Sequence, residues 1–144
     1  MISSPVSSSG RSGGARSTPR CSCEAESAPA GSTELDYELE LAVVLKKGGK
    51  HFDSEEAVDY IGGYVIFNDI TARDIQRREM ESSNFCFSKS IDTFCPFGPW
   101  IVTADEIPDP YNLNLELRVN GEKRQISNTS HMSVTIPQLL AKFS

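Results

Sequence analysis

Charged and apolar residues alternate through Asp36-Tyr37-Glu38-Leu39-Glu40-Leu41, and Ala42-Val43-Val44-Leu45 continues the run. Alternation of this kind predicts a strand over 38–45, with residues two apart on one face. Lys46-Lys47-Gly48-Gly49 ends it as a turn. Asp53, followed three residues later by Glu56, reads as a capping box that opens a helix over about 54–61, and Gly62-Gly63 is expected to close it. Residues 64–67 form a short apolar strand that delivers Asn68 and Asp69 at its end. Residues 71–80 follow helical spacing, with Ala72, Ile75 and Met80 as inward positions. A loop over 81–98 contains a rigid corner, Cys95-Pro96-Phe97-Gly98-Pro99, before a strand resumes over 100–103. The clearest hairpin spans 113–126. There Leu113, Leu115, Leu117 and Val119 alternate up to Asn120-Gly121, a type I′ turn signal. Pro137, just after Thr135, suits the first turn of a last helix that runs to Ser144.

Residues 1–33 differ in kind. They are rich in Ser, Gly, Ala and Pro, carry Arg11, Arg16 and Arg20, and hold no acid before Glu24. The absence of an apolar h-region argues against a secretory signal, while the acid-poor, Ser/Arg-rich composition fits an organellar transit peptide or a disordered extension. No amphipathic helix can be drawn through so many Gly, Ser and Pro residues. The expectation is therefore a disordered or unrelated leader over 1–33 and an ordered domain over 34–144. The expected location is the cytoplasm, or a mitochondrion or plastid if the leader is a transit peptide.

The whole chain has 144 residues, a net charge of −6 and 38% hydrophobic residues, which suits one globular domain of modest size. No apolar run approaches the roughly 20 residues of a membrane span. With no basic stripe after Arg20, a nucleic-acid partner is not expected either. Of Cys21, Cys23, Cys86 and Cys95, the Cys21-x-Cys23 pair is not a common zinc spacing, and only His51 and His131 exist to complete a site, so the thiols read as free cysteines of a reducing compartment.

Glu38 and Glu40 change the picture most. On one face of a strand their Cβ atoms lie roughly 6–7 Å apart. Two carboxylates at that distance raise one another's pKa unless a cation intervenes, and a hard divalent ion with oxygen ligands is the natural partner. Taken alone, the same spacing also fits the solvent face of a half-exposed strand.

Five segments in order resolve that choice: residues 35–41, Asn68-Asp69-Ile70-Thr71-Ala72-Arg73-Asp74-Ile75-Gln76, Lys89-Ser90-Ile91-Asp92-Thr93-Phe94-Cys95-Pro96, Val119-Asn120-Gly121-Glu122 and Ser127-Asn128-Thr129-Ser130. From residue 35 to 144 the chain closely resembles the fumarylacetoacetate hydrolase family. The resemblance implies a mixed β, α+β fold, a partial β-roll with short peripheral helices. It also implies metal-dependent chemistry on a small 2-oxo or β-diketo acid, either C–C bond hydrolysis or decarboxylation through a metal-stabilised enolate. By the same resemblance the metal ligands are Glu38, Glu40 and Asp69, and the ion is Mg²⁺ or Mn²⁺, with Ca²⁺ as an alternative. Arg73, Gln76 and Thr129 are implied as substrate-binding residues, Lys89 as the catalytic point charge beside the developing enolate, and a homodimer as the assembly. Arg73 falls four residues after Asp69, which predicts that one helical turn brings both to one pocket.

The family's lid histidine and glutamate have no counterpart in 1–33, and its Gly-Asp and Thr-Gly-Thr-Pro segments do not follow. The expectation is thus the central part of a catalytic domain, truncated at its C-terminus and weak or inactive in isolation. The alternative is a non-catalytic module of the same fold that binds a ligand or forms oligomers.

Overall fold

The computed structural model describes residues 31–84 and 86–144, together with the backbone of 2–8 and 20–23. Strand β4 (Leu39–Leu45) pairs antiparallel with β5 (Ile61–Asn68), with Leu39 opposite Asn68 and Glu40 opposite Phe67. The two-residue strand β7 (Val102–Thr103) lies on the other edge of β5. Beside this sheet, β3 (Leu35–Asp36) pairs with β6 (Thr71–Ala72). The predicted hairpin forms as β8 (Leu113–Val119) and β9 (Glu122–Asn128), with Val119 opposite Glu122. Its turn residues Asn120 and Gly121 both take positive φ, as a type I′ turn requires.

The mixed fold expected from the sequence is thus present, and its helices are short. The Asp53–Glu56 capping box opens α1 (Ser54–Ala57), which tightens into a 3-10 turn over Val58–Tyr60. A second capping box, Thr135 with Gln138, opens α3 (Ile136–Phe143) with Pro137 in its first turn. Between them, α2 (Arg73–Met80) starts directly after β6.

Among the described residues, three apolar clusters hold the layers together. Leu39 and Ile66 pack with Leu115 and Leu117, joining the β4–β5 pair to the hairpin. Ile61 and Tyr64 meet Ile136 at the far end of β5, while Ile70, Ala72 and Phe94 seal the start of α2. The alternation of the first stretch is realised here, since Leu39 is buried and Glu40 is exposed. Removing from water a side chain such as Leu39 contributes about 1.5–3 kcal/mol.

Several local expectations change. Gly62 and Gly63 do not close a helix but lie inside β5. A Cβ on Gly63 would stand 2.4 Å from the Val102 carbonyl oxygen, so the glycine permits the close approach of β7. Met80 is 55% exposed; the inward face of α2 is formed by Ile75 against Ile70, Ala72 and Phe94. The strand expected over 100–103 shortens to two residues, leaving Trp100 and Ile101 half-exposed.

Most of the leader expected over 1–33 lies outside the described residues. Within it, β1 (Ile2–Ser8) pairs with β8, and β2 (Arg20–Cys23) pairs with β1. Nearer the domain, Ser32 is buried and its hydroxyl donates to Asp74 at 2.7 Å, which ties the chain to α2 before β3 begins.

Candidate metal centre

The end of β5 and the start of β4 bring the acidic residues together through the main chain. The Glu38 amide donates to the Asn68 side-chain carbonyl at 3.2 Å, and the Asp69 amide donates to the Glu38 carbonyl at 2.9 Å. The corner expected at 95–99 secures the other side of this segment. Asn68 donates to the Pro96 carbonyl at 3.1 Å, Ile70 to that of Phe94 at 3.1 Å, and Gly98 to that of Ile66 at 3.0 Å. As a result, carboxylate oxygens of Glu38, Glu40 and Asp69 lie within 4.8 Å of one another.

Two cations engage this cluster. The Lys89 ammonium donates to Glu38 Oε2 at 2.9 Å and also to Asp69 Oδ2. Arg73, the first residue of α2, donates through Nε to Asp36 at 2.8 Å, through one terminal nitrogen to Gln76 at 2.8 Å and through the other to Glu38 at 2.6 Å. Arg73 does not reach the site by a helical turn from Asp69, because β6 intervenes between them; its guanidinium meets the cluster through Glu38. These ion pairs are half-open to solvent, with Asp69 the least exposed at 18%.

The protonation preferences follow from this arrangement. Partial burial pushes the Glu38 carboxyl up, but hydrogen bonds and charge from Lys89 and Arg73 outweigh it and hold the group below the ordinary glutamate value. Burial likewise works against the Lys89 ammonium, and its bonds to Asp69 and Glu38 raise its pKa nonetheless. Glu40 goes the other way. Partial burial of its carboxyl, then the charges of Asp69 and Glu38, raise its pKa, although the residue as a whole reaches solvent. Among the described residues, Glu40 has neither a hydrogen-bond donor nor an ion-pair partner for its carboxylate.

The donor set fits a hard divalent cation. Asp36, Glu38, Glu40 and Asp69 set four carboxylates against the two cations Arg73 and Lys89, leaving two negative charges, the complement of one such ion. The unpartnered, raised carboxyl of Glu40 is the group that gains most from its arrival.

Of the residues singled out in the sequence, the structure brings Glu38, Glu40, Asp69, Arg73, Gln76 and Lys89 into one network. Thr129 is not in it. It is buried in a 3-10 turn, where its hydroxyl accepts the Leu113 amide at 2.9 Å. Sequence reasoning gave Asp36 no role, yet it anchors the Arg73 guanidinium. The signal was available in the spacing of three acids at 36, 38 and 40.

Three convergent carboxylates flanked by Arg73 and Lys89, at the ends of small antiparallel sheets, form a donor set of the kind that metal-assisted enzymes use to handle oxyanions. The sequence model of the fumarylacetoacetate (FAA) hydrolase C-terminal domain matches residues 15–144, and the chain belongs to the fumarylacetoacetate hydrolase family. It is 47% identical over 113 residues to oxaloacetate tautomerase YisK of Bacillus subtilis, covering 78% of this chain and 36% of that protein. It is 43% identical over 113 residues to the mitochondrial oxaloacetate tautomerase Fahd2a of Rattus norvegicus, with the same coverage, 78% and 36%. Among solved structures it resembles fumarylpyruvate hydrolase from Pseudomonas aeruginosa in complex with Mn²⁺ and pyruvate, at a TM-score of 0.75 and 29% identity, covering 81% of this chain and 50% of that one. A fumarylacetoacetate hydrolase from Exiguobacterium antarcticum gives 0.73 at 42% identity, with coverage of 80% and 40%. The chain spans about a third of the length of these curated relatives. Among the described residues, no helix is long and apolar enough to cross a membrane.

Proposed function

We propose that this chain carries the metal-binding and acid-binding part of an enzyme that acts on a small 2-oxo or β-dicarbonyl acid through an enolate. The observation that carries the reading is the convergence of Glu38, Glu40 and Asp69, with Lys89 on two of the three and Arg73 on one. Glu38, Glu40 and Asp69 would hold Mg²⁺ or Mn²⁺, with Ca²⁺ as the alternative. Such an ion, when bound, supplies Lewis-acid polarisation of a carbonyl oxygen.

The chain's own side chains do the rest. The Lys89 ammonium holds its proton firmly and stands at the edge of the carboxylates, where it can stabilise negative charge that develops on a substrate oxygen. Arg73 has N–H donors to spare beyond the three bonds it makes, and their fork matches a substrate carboxylate. Gln76 holds that fork through its side-chain oxygen and keeps its amide nitrogen for the ligand. In this reading Thr129 acts through the backbone of β8. Removal or return of a proton at the carbon beside the carbonyl is common to tautomerisation, decarboxylation and hydrolytic cleavage of such acids. The similar proteins include an oxaloacetate tautomerase and a fumarylpyruvate hydrolase, both consistent with that shared step.

Incubating purified protein with oxaloacetate and with acylpyruvates, with and without Mg²⁺, tests the proposal. Metal-dependent loss of substrate, or metal-dependent deuterium uptake at the carbon beside the keto group, is expected. Neither occurring with any of these acids would overturn it. A homodimer in the cytoplasm completes the proposal; sedimentation and fractionation measure the two directly.

A further inference from the structure

The loop that carries Lys89 has no regular secondary structure, yet it must hold the ammonium on two carboxylates. What fixes it is Glu79, in the last turn of α2. The Glu79 carboxylate accepts from three successive main-chain amides: Cys86 at 3.3 Å and Phe87 at 2.5 Å on Oε1, and Ser88 at 3.0 Å on Oε2. Successive amides aimed at one anion form a nest, and the ionised acceptor makes each bond stronger than a neutral one. A carboxylate in the last turn of a helix opposes the helix dipole, so helix formation does not account for Glu79; the amides do.

The nest is compact and tied at its far end. Ser88 is 1% exposed, and its carbonyl accepts the Ala72 amide at 3.0 Å. The Ser90 hydroxyl donates to the Cys86 carbonyl at 2.7 Å, and the Ser90 amide to that of Phe87 at 3.3 Å. Lys89 therefore sits between a residue fixed by Glu79 and one folded back on the nest. Because α2 also carries Arg73 and Gln76, one helix sets all three side chains relative to Glu38.

We infer that Glu79 is a positioning residue, whose carboxylate latches the loop 86–88 to α2 and so holds the Lys89 ammonium on Glu38 and Asp69. The inference rests on the enolate reading only for the purpose of placing Lys89; the latch itself is a matter of geometry. Glu79→Gln is the sharpest probe. One side-chain oxygen remains for Cys86 and Phe87, but an amide NH₂ now faces the Ser88 N–H, donor against donor. Glu79→Asp keeps the charge and withdraws it by one methylene, so it reports on reach alone.

The readout is the rate of acetylation of each lysine in the full chain by limiting acetic anhydride, followed by peptide mass spectrometry, with Glu81→Gln as control. In both Glu79 variants, Lys89 labelling is expected to rise roughly five- to tenfold, as for the net loss of about one ordinary hydrogen bond. Lys46, Lys50 and Lys142 should label at unchanged rates, which separates a released loop from a loosened fold. Lys89 labelling at the wild-type rate in Glu79→Gln, or a rise shared by all four lysines in both variants, would overturn the inference. The measurement needs no turnover, so an inactive chain with a protected Lys89 would count against the enolate reading and leave the latch in place.

Discussion

The Lys89 ammonium lies 2.9 Å from Glu38 Oε2, while Arg73 donates to Glu38 Oε1 at 2.6 Å, so one carboxylate is gripped at both oxygens by cations from different segments. Glu40, two residues along the same strand, receives neither. This asymmetry gives the two glutamates different tasks. Glu38 organises the basic side chains, and Glu40 is the carboxylate that would be free to take an incoming cation.

Arg73 is the hub of that organisation, and its loss should be felt in stability. Arg73→Ala strands one oxygen each of Asp36 and Glu38, while the other Asp36 oxygen keeps the Tyr37 amide. The pairs are partly screened by solvent, which limits the cost to about 1–2 kcal/mol. Arg73→Lys keeps the charge but not the fork and should recover less than half of it. Urea unfolding midpoints at low salt would measure both; an unchanged midpoint for Arg73→Ala would refute the hub.

Glu40 should behave in the opposite sense. Its pKa in the fold lies above the ordinary glutamate value of 4.5, so ionising it costs the folded, metal-free protein. Metal-free stability is then greatest below the unfolded value, falls as pH rises through the raised folded value, and is flat beyond it. Glu40→Gln removes the charge, so in a chelator at pH 7 this variant should melt at a higher temperature than the wild type. At a pH well below 4.5 the gap should close. A lower melting temperature at pH 7 would show that Glu40 is compensated by something other than a metal.

Thr129 offers a test of structure against ligand binding. Its buried hydroxyl is the acceptor for the Leu113 amide, so Thr129→Val should cost about 1–3 kcal/mol by leaving that N–H unpaired. Thr129→Ser, which keeps the oxygen, should lose less. Denaturant titration of both variants checks this, and equal stability of the valine form would return Thr129 to a role at the ligand.

How much of this was legible in the sequence depends on how local each signal is. The β8–β9 hairpin and the Asp53–Glu56 capping box rest on residues within a few positions of one another, and they form as read. Gly62-Gly63 was misread because its reason is a neighbouring strand, Val102–Thr103, far along the chain. Local pattern supports a helix end there equally well. Met80 was placed inward by helical spacing, but the helix ends at it, and Phe94, from a later loop, decides which face is covered. The two glutamates at 38 and 40 pointed to a cation. That Asp36 would serve Arg73 rather than the ion depended on how β3 meets β6. Lys89, in an irregular loop, has no periodic signal of its own; only the family resemblance singled it out.

If Glu38, Glu40 and Asp69 form one site for a divalent cation, calorimetric titration with Mn²⁺ shows it directly. One ion should bind per chain, and Glu40→Ala should weaken it by about tenfold or more, the loss of one carboxylate ligand. Lys89→Met should leave a single site, since the ammonium is not a ligand. Binding of the same stoichiometry and affinity in wild type and Glu40→Ala would contradict the assignment, as would no binding at all by the wild type.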